Sequence, residues 1–564
     1  MAQQDTAIRL LKRWDELWGQ QATARTVWQD IADYVIPYKS NILVQRAEGE
    51  KQTAKLYDAT APHSAILLAA SIHASMTPAT QPWLSLKMRQ AELNDLKPVQ
   101  DWLEDCARRI HAALRQSEFN QSVHEMYLDL VAFGTGALLV EEKDVPRSGG
   151  FGGFRFLVPA CGTYVISEDA DHRVDTLFRK FSLPLRSVYA KWKEAIGEEL
   201  VRRLATQPER PVELLHAVYP RAERIYDDRT GQAKRGARNM AWASCYVVAE
   251  TKRKVEESGY EEFSYMAPRW TKSSGETYGR GPSHTALPDV ASLNAAKEIV
   301  LKAAPLAMIP PTYERDDSVV GDLDLTAGGR NVINAAGSIP DSFGFINTGQ
   351  KVDLTQLTLS ELRQAIRAIY FTDQLILHEK PDMTATEVLA LQEQMQRLLG
   401  PTTGRLESEF LNPLVQRCFA LMARAGALLP LPDELRELGD TADIDIEYEG
   451  PLARAQRTIE LAAQDRVVAL VLTIAEGKAK VPADEWDLLD TDKMIRARAE
   501  ITGLPSDQLK SDEVIAQTRA QRQERADNLQ KFDVMERAAT AAGRATPFLK
   551  ELAPGPEATN GSAR

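Results

Sequence analysis

A few residue pairs in this chain could in principle do chemistry. His124-Glu125 and His378-Glu379 each begin the H-E-x-x-H pattern, which sets two imidazoles on one helix face around zinc. Leu128 and Asp382 stand where the second histidine belongs, so neither pair predicts a zinc site. His63-Ser64 places a base beside a hydroxyl, but no third group orients it and no G-x-S-x-G elbow occurs. Asp227-Asp228 and Asp316-Asp317 sit in turn-like contexts and read as solvated loops. Cys106, Cys161, Cys245 and Cys418 form no C-x-x-C pair. They predict small core residues in a reducing compartment rather than a metal site. The run "GGFGGF" (149–154) lacks the G-x-x-x-x-G-K-[ST] spacing that cradles phosphate, and it reads as a hairpin turn. No catalytic residue, metal or cofactor is predicted, and nothing here argues for an enzyme.

The stretch that most invites a chemical reading is Tyr278-Gly279-Arg280-Gly281-Pro282, set directly before a helical pattern. A glycine-rich, arginine-bearing turn at a helix mouth suits an anion. It equally suits a structural corner. Gly279 and Gly281 then permit a tight backbone path, and Pro282 stops the preceding strand.

The surrounding elements are legible from periodicity. Trp14 and Trp18 stand four residues apart, and Trp28, Ile31 and Val35 continue the stripe, which predicts an amphipathic helical pair over 8–38. A helix follows through "YDATAPHSAILLAASIHASM" and closes at Pro78 and Pro82, with a short strand, "WLSLKM", behind it. Residues 98–133 read as one helical stretch, and "FGTGALLVEE" as a glycine turn into a strand. From about 149 to 265, strand-like runs ("FRFLVPA", "TYVIS", "SCYVVAE") surround one helix, "LRSVYAKWKEAI". A helix bearing Val290, Leu293 and Val300 ends near Ala304. Residues 305–349, rich in Pro, Gly, Asp and Asn, predict a compact projecting subdomain of small strands. A second helix carries Leu359, Leu362, Ile366 and Ile369. After "HEKPDM", Thr384 and Glu387 form a capping box before a third helix that runs to about Ala425. Gly400-Pro401 and Pro413 predict kinks in it. About 40 helical residues would span roughly 60 Å, a rod that suits an assembly with an axial feature. The remainder reads as helical to about residue 540, followed by a tail of disordered composition.

The chain has 564 residues and 62.7 kDa, room for three or four domains, with 44% apolar and 26% charged residues. Its longest apolar run, near Ala65–Met76, is too short and polar to span a membrane. The N-terminus lacks the apolar core of a secretory signal, which predicts synthesis in the cytosol. Net charge is −12 and the pI about 5.4. A protein that clamps a duplex through many phosphate contacts is usually basic. This one either binds no nucleic acid or handles it without gripping.

Seven stretches, in order, resemble the portal proteins (head-to-tail connectors) of short-tailed double-stranded DNA bacteriophages. They are "WQDIADYVIP" (28–37), "LYDATAPHSAILLAASIHASMTPATQPWLSL" (56–86), "FGTGALLVEE" (133–142), "YGRGPSHTALPDVASLN" (278–294), "MTATEVLALQEQ" (383–394), "LESEFLNPLVQRCF" (406–419) and "YEGPLARAQ" (448–456). The resemblance implies an α+β portal fold: a wing (1–275), a stem helix (276–304), a clip (305–349) and a second stem helix (350–377). A tunnel loop (378–384), a long kinked helix returning to the wing (385–454), a helical crown (455–545) and a disordered tail (546–564) complete it.

The resemblance also implies a dodecameric homo-oligomer at one capsid vertex of the virion, made in the host cytoplasm, with no membrane partner. Double-stranded DNA would pass its channel without sequence specificity, driven by the terminase large subunit and later ejected. Head-to-tail adaptor and tail proteins, the major capsid protein and scaffold proteins are the other implied partners. Lys297, Lys302, Arg363, Arg367, His378 and Lys380 are the candidate channel residues; each reads equally well as an intersubunit salt bridge or a solvated face. The resemblance makes Tyr278–Pro282 a structural corner feeding the stem. The competing readings are a scaffold or internal core protein, which should lack a clip-like insertion between two long helices, and a cytosolic hydrolase using an acid pair in 305–349.

Overall fold

The computed structural model describes residues 2–375 apart from 48, 80–81, 144–149, 223, 226–235, 316–323, 334–342 and 346–351. Beyond these it describes 400, 403–436, 446–449, 494–495 and 512–541. The chain forms two compact units, 1–95 with 102–457, and 96–101 with 458–564.

The first unit is a mixed helix-and-sheet structure. Its N-terminal pair, α1 (Ala2–Gln20) and α2 (Ala22–Val35), follows the tryptophan stripe. Then come α3 (Thr60–Met76) and β1 (Ser85–Met88). The stretch expected as one helix is two, α4 (Lys97–Arg115), which joins this unit from Trp102 onward, and α5 (Phe119–Phe133). Ser117 explains the break: its hydroxyl donates to the Leu114 carbonyl at 2.6 Å and accepts from the Phe119 N–H at 3.3 Å, competing with the helical ladder. Strands β2 (Leu138–Glu142) and β3 (Phe154–Leu157) pair antiparallel, so "GGFGGF" lies at a hairpin, with Gly150 and Gly153 at positive φ.

Five strands form an antiparallel meander in chain order: β4 (Tyr164–Glu168), β5 (Val174–Pro184), β6 (Pro211–Pro220), β7 (Trp242–Val248) and β8 (Arg253–Tyr260). Between β5 and β6 stand α6 (Leu185–Trp192) and α7 (Glu198–Leu204). Alternation along the strands divides the burial. Ala7, Leu10 and Trp14 of α1 cover Val165, Phe178, Leu215, Ala217, Cys245 and Val247 on one face. The opposite face, with Ile166, Leu177 and Val218, packs on Ala137, Leu139, Tyr265 and Ala267. The latter lie in or directly beside β2 and β9 (Tyr265–Met266), which form a three-stranded sheet with β3.

Helix α8 (Pro282–Met308) follows. It begins with Pro282 at its first turn, where a missing N–H is harmless, rather than Pro282 closing a strand. It also continues past Ala304 through Pro305, ending where the Ile309 N–H reaches the Pro305 carbonyl at 2.8 Å. Next is a small three-stranded sheet in which β10 (Thr312–Arg315) lies between β11 (Arg330–Ile333), parallel to it, and β12 (Phe343–Phe345), antiparallel. Helix α9 (Val352–Ile369) returns alongside α8.

Helix α10 (Thr372–Leu375) follows Phe371, a bulky residue at φ 57°, which marks a sharp corner. Of the third long helix, residues 385–399 lie outside the described residues. The described part contains a π-helical turn at Glu407–Leu411 running into α11 (Asn412–Arg424). Pro413, lacking an N–H, stands in the first turn of α11. Strand β13 (Ile446–Glu449) pairs antiparallel with β1, Ser85 opposite Glu449. In the second unit, α12 (Asp512–Ala541) is a 30-residue helix whose described side chains are mostly exposed.

All four cysteines are unpaired thiols in the core, and burial pushes Cys106 and Cys418 up to about 12.

Candidate functional site

The corner before α8 is built from glycines in mutual contact. Gly134, at φ 73°, caps the C-terminus of α5 and lies against the backbone of Gly279 and Gly281. A Cβ on Gly134 would fall 2.4 Å from the Gly279 carbonyl oxygen. One on Gly279 would fall 2.3 Å from the Gly134 oxygen, and one on Gly281 would fall 2.6 Å from the Val131 oxygen. "FGTG" and "YGRG", some 145 residues apart, thus pack as one unit.

The turn's donors are consumed within the chain. Gly279 N–H donates to Thr135 Oγ1 (2.8 Å), Arg280 N–H to the Thr271 carbonyl (2.8 Å) and Gly281 N–H to His284 Nδ1 (3.2 Å). The Arg280 guanidinium donates to both oxygens of Glu276, at 2.9 and 2.5 Å. Tyr278 turns inward: its hydroxyl accepts the Ile166 N–H at 3.1 Å and its ring stands edge-on to Trp28 at 5.2 Å. Ser283 donates to the Val131 carbonyl and accepts from the Tyr370 hydroxyl (2.8 Å), so the start of α8 meets the end of α9. Burial, then the nearby Arg280, push His284 down to about 4, which keeps its ring a neutral acceptor at the helix start. The backbone N–H groups of Gly279, Arg280 and Gly281 are therefore taken within the chain and the Arg280 guanidinium is paired with Glu276, so the arrangement serves to position the helix pair.

A second cluster gathers on Asp58, just ahead of α3 and only 4% exposed. One carboxylate oxygen, Oδ1, accepts from the Thr60 N–H (2.9 Å) and hydroxyl (2.5 Å). The other, Oδ2, accepts from Lys297 Nζ (2.9 Å) and from Arg363 Nε (3.0 Å) and Nη2 (2.8 Å). Asn294 Oδ1 holds the backbone N–H groups of Tyr57 and Asp58 at 2.7 and 2.9 Å, and its amide donates to the Val290 carbonyl. Burial alone would raise the Asp58 carboxyl. Donors from Thr60, Arg363 and Lys297 overcome it and hold the group well below the usual carboxylate range.

Two buried arginines fasten the C-terminal part of this unit. Arg269, 2% exposed, donates to both oxygens of Glu409 in the π turn, to Glu168, and to the Thr277 and His172 carbonyls. Lys272 adds a donor to Glu168 at 2.6 Å. Arg417 of α11 donates to the Val140 carbonyl of β2 (2.8 Å) and the Glu262 carbonyl (3.1 Å), and Arg424 reaches the Glu262 carboxylate.

The candidate channel residues therefore divide. Lys297 and Arg363 share one aspartate of the same chain. Lys302 is exposed and paired with Glu298 at 2.7 Å, one turn back. Arg367 is exposed with no ion-pair partner among the described residues. His378 and Lys380, with the loop 378–384, lie outside the described residues. Sequence reading missed Asp58, Asn294, Arg269 and Glu409. The one local signal for Asp58 was its position two residues before Thr60 at a helix start. No group of three or more histidine, cysteine, aspartate or glutamate residues in metal-binding geometry occurs among the described residues, and no described helix is long and apolar enough to cross a membrane.

Residues 7–509 match the family described as bacteriophage head to tail connecting protein. A probable portal protein of Bordetella phage BPP-1 is 30% identical over 561 residues, covering 96% of each chain. A portal protein of Salmonella phage epsilon15 is 27% identical over 557 residues, covering 95% of this chain and 94% of that one.

Proposed function

The chain belongs to the family of bacteriophage head-to-tail connecting proteins, and from that premise we propose that it forms the portal of a phage virion. In this reading, copies close into a dodecameric ring at one capsid vertex. Double-stranded DNA is driven through the ring by the terminase large subunit, held, and later ejected. Residues 1–275 form the wing, α8 and α9 the stem, and the sheet of β10–β12 the clip. Head-to-tail adaptor and tail proteins dock on the clip; capsid and scaffold proteins meet the outer surface. The protein is a conduit and not an enzyme, so ATP hydrolysis belongs to its motor partner.

The observation that carries this reading is a pair of long packed helices with a small sheet inserted between them, in a chain that matches portal proteins along nearly its whole length. A scaffold or core protein gives no reason for that insertion. The net charge of −12 per chain supports a wall along which a polyanion slides, since many lysine–phosphate contacts would release counterions and bind it. The test is electron microscopy of the purified full-length protein with native mass spectrometry. Rings with a central hole of duplex width are expected; a monomer at micromolar concentration, with scaffold present and at every salt tried, overturns it.

A further inference from the structure

We propose that Asp58 is a fixed counter-charge that withdraws Lys297 and Arg363 from DNA and so sets how weakly the α8–α9 pair holds the duplex. The inference rests on the portal reading, but it concerns a residue that reading does not assign.

Three features support it. Asp58 cannot swing away: Asn294 pins its backbone, and Thr60 occupies Oδ1 with two donors. Only Oδ2 is left, and both cations converge on it from different helices within 3.0 Å. The carboxylate is 4% exposed while the side chains of Lys297 and Arg363 are 30% and 34% exposed. The pair thus sits at the edge of solvent with its charge turned inward, in a setting where Coulomb attraction is less screened than at the surface. Two positive charges against one negative leave one excess charge, partly covered, at the junction of α3, α8 and α9. Without the aspartate, both side chains are long enough and near enough to solvent to turn outward. Among the described candidates, only exposed Arg367 stays outside any ion pair.

The experiment uses assembled rings of the full chain. Retention of a linear duplex is measured over a series of sodium chloride concentrations, with covalently closed circular DNA of the same sequence as the control that cannot thread. Three chains are compared: wild type, Asp58→Asn, and Lys297→Gln. With Asp58→Asn, linear DNA should be held more tightly, and log K against log[salt] should steepen by about 0.9 for each freed cation that reaches a phosphate. Closed circles should show no change. Lys297→Gln leaves Arg363 on Asp58, so its salt slope should equal that of wild type. Were Lys297 already touching DNA, that slope would instead fall by about 0.9, and the proposal would be overturned. An Asp58→Asn ring with the wild-type slope, or one that gains equally on circles, would also overturn it. If Asp58→Asn fails to assemble, Lys297→Gln still puts the proposal at risk, because a slope lower by about 0.9 overturns it. Failure of the wild-type chain to form rings would sink the portal reading instead, so the two failures are distinguishable.

Discussion

At the scale of single residues, buried charges hold this fold in register. Arg269 is almost wholly buried against two carboxylates and two carbonyls, so truncating it strands Glu409 without its cation and leaves Glu168 to Lys272 alone. Removing one partner of a buried pair destabilises by about 3–5 kcal/mol. Arg269→Ala should lower the urea midpoint accordingly, whereas Arg202→Ala, which breaks an exposed pair with Glu198, should leave it unmoved. Histidines give a pH dependence with a definite sign. His216 is buried between the Tyr265 hydroxyl (2.9 Å) and the Ser244 hydroxyl (3.0 Å) and stacks on Tyr246; burial, then Arg179 and Lys191, push it down to about 3. His284 lies near 4. Both are neutral when folded but take up protons when unfolded below about 6.5. Their contribution is therefore complete above pH 6.5 and is lost progressively as pH falls towards 4 and 3. Each should add about 1.4 kcal/mol per pH unit to the slope once the unfolded chain is protonated. Urea midpoints from pH 7 to 4.5 would show it, and His284→Gln should flatten the curve. A flat wild-type curve would refute the assignment.

At the scale of elements, the corner joining α5 to α8 depends on three glycine backbones touching. Gly134→Ala adds both a left-handed penalty and a Cβ at 2.4 Å from backbone, so it should destabilise by at least about 2 kcal/mol. Gly150→Ala, at positive φ but with open space, should lose less, because only the backbone penalty applies. Thermal denaturation of the two variants separates the terms. The elements themselves were largely legible in the sequence, because periods of 3.6 and 2 report which side chains face a core. The tryptophan stripe predicted α1 and α2, and the apolar runs predicted β3, β4 and β7, whereas β5, β6, β8 and α7 were not singled out. Three further details were not legible. Ser117 breaking 98–133 depends on a hydroxyl choosing local carbonyls. Pro282 reads alike as a strand stop and a helix start. The continuation of α8 through Pro305 depends on its last turns tolerating an absent donor. The ion pairs of Asp58 and Arg269 were invisible for another reason: their charged partners lie 101 to 305 residues away in sequence, and no local pattern encodes them.

At the scale of the whole molecule, the acidic balance and the sequestered cations point the same way. If the ring is a sliding wall, wild-type rings should retain linear duplex weakly at physiological salt, with a shallow salt slope. Arg367→Gln should make it shallower still, since Arg367 is the exposed candidate outside any ion pair among the described residues. Nitrocellulose retention at two salt concentrations would check this; a steep wild-type slope would speak for a gripping channel. The core thiols supply a test of overall integrity. Buried and held in the thiol form, all four cysteines should resist a disulfide exchange reagent until the chain is unfolded, and then react together.

One pairing also has a consequence in time. Among the described residues, Ser85–Met88 pairs with one strand alone, Ile446–Glu449. At about 5–20 residues per second, the ribosome needs roughly 20–70 s to make the intervening chain of about 360 residues. Through that interval each nascent copy carries a strand edge with no mate of its own, while neighbours on the same message carry identical edges. If copies of the chain close into a ring as proposed, each subunit thus emerges with a sticky end that must wait, and slower translation ahead of residue 446 would lengthen its exposure to the wrong encounter.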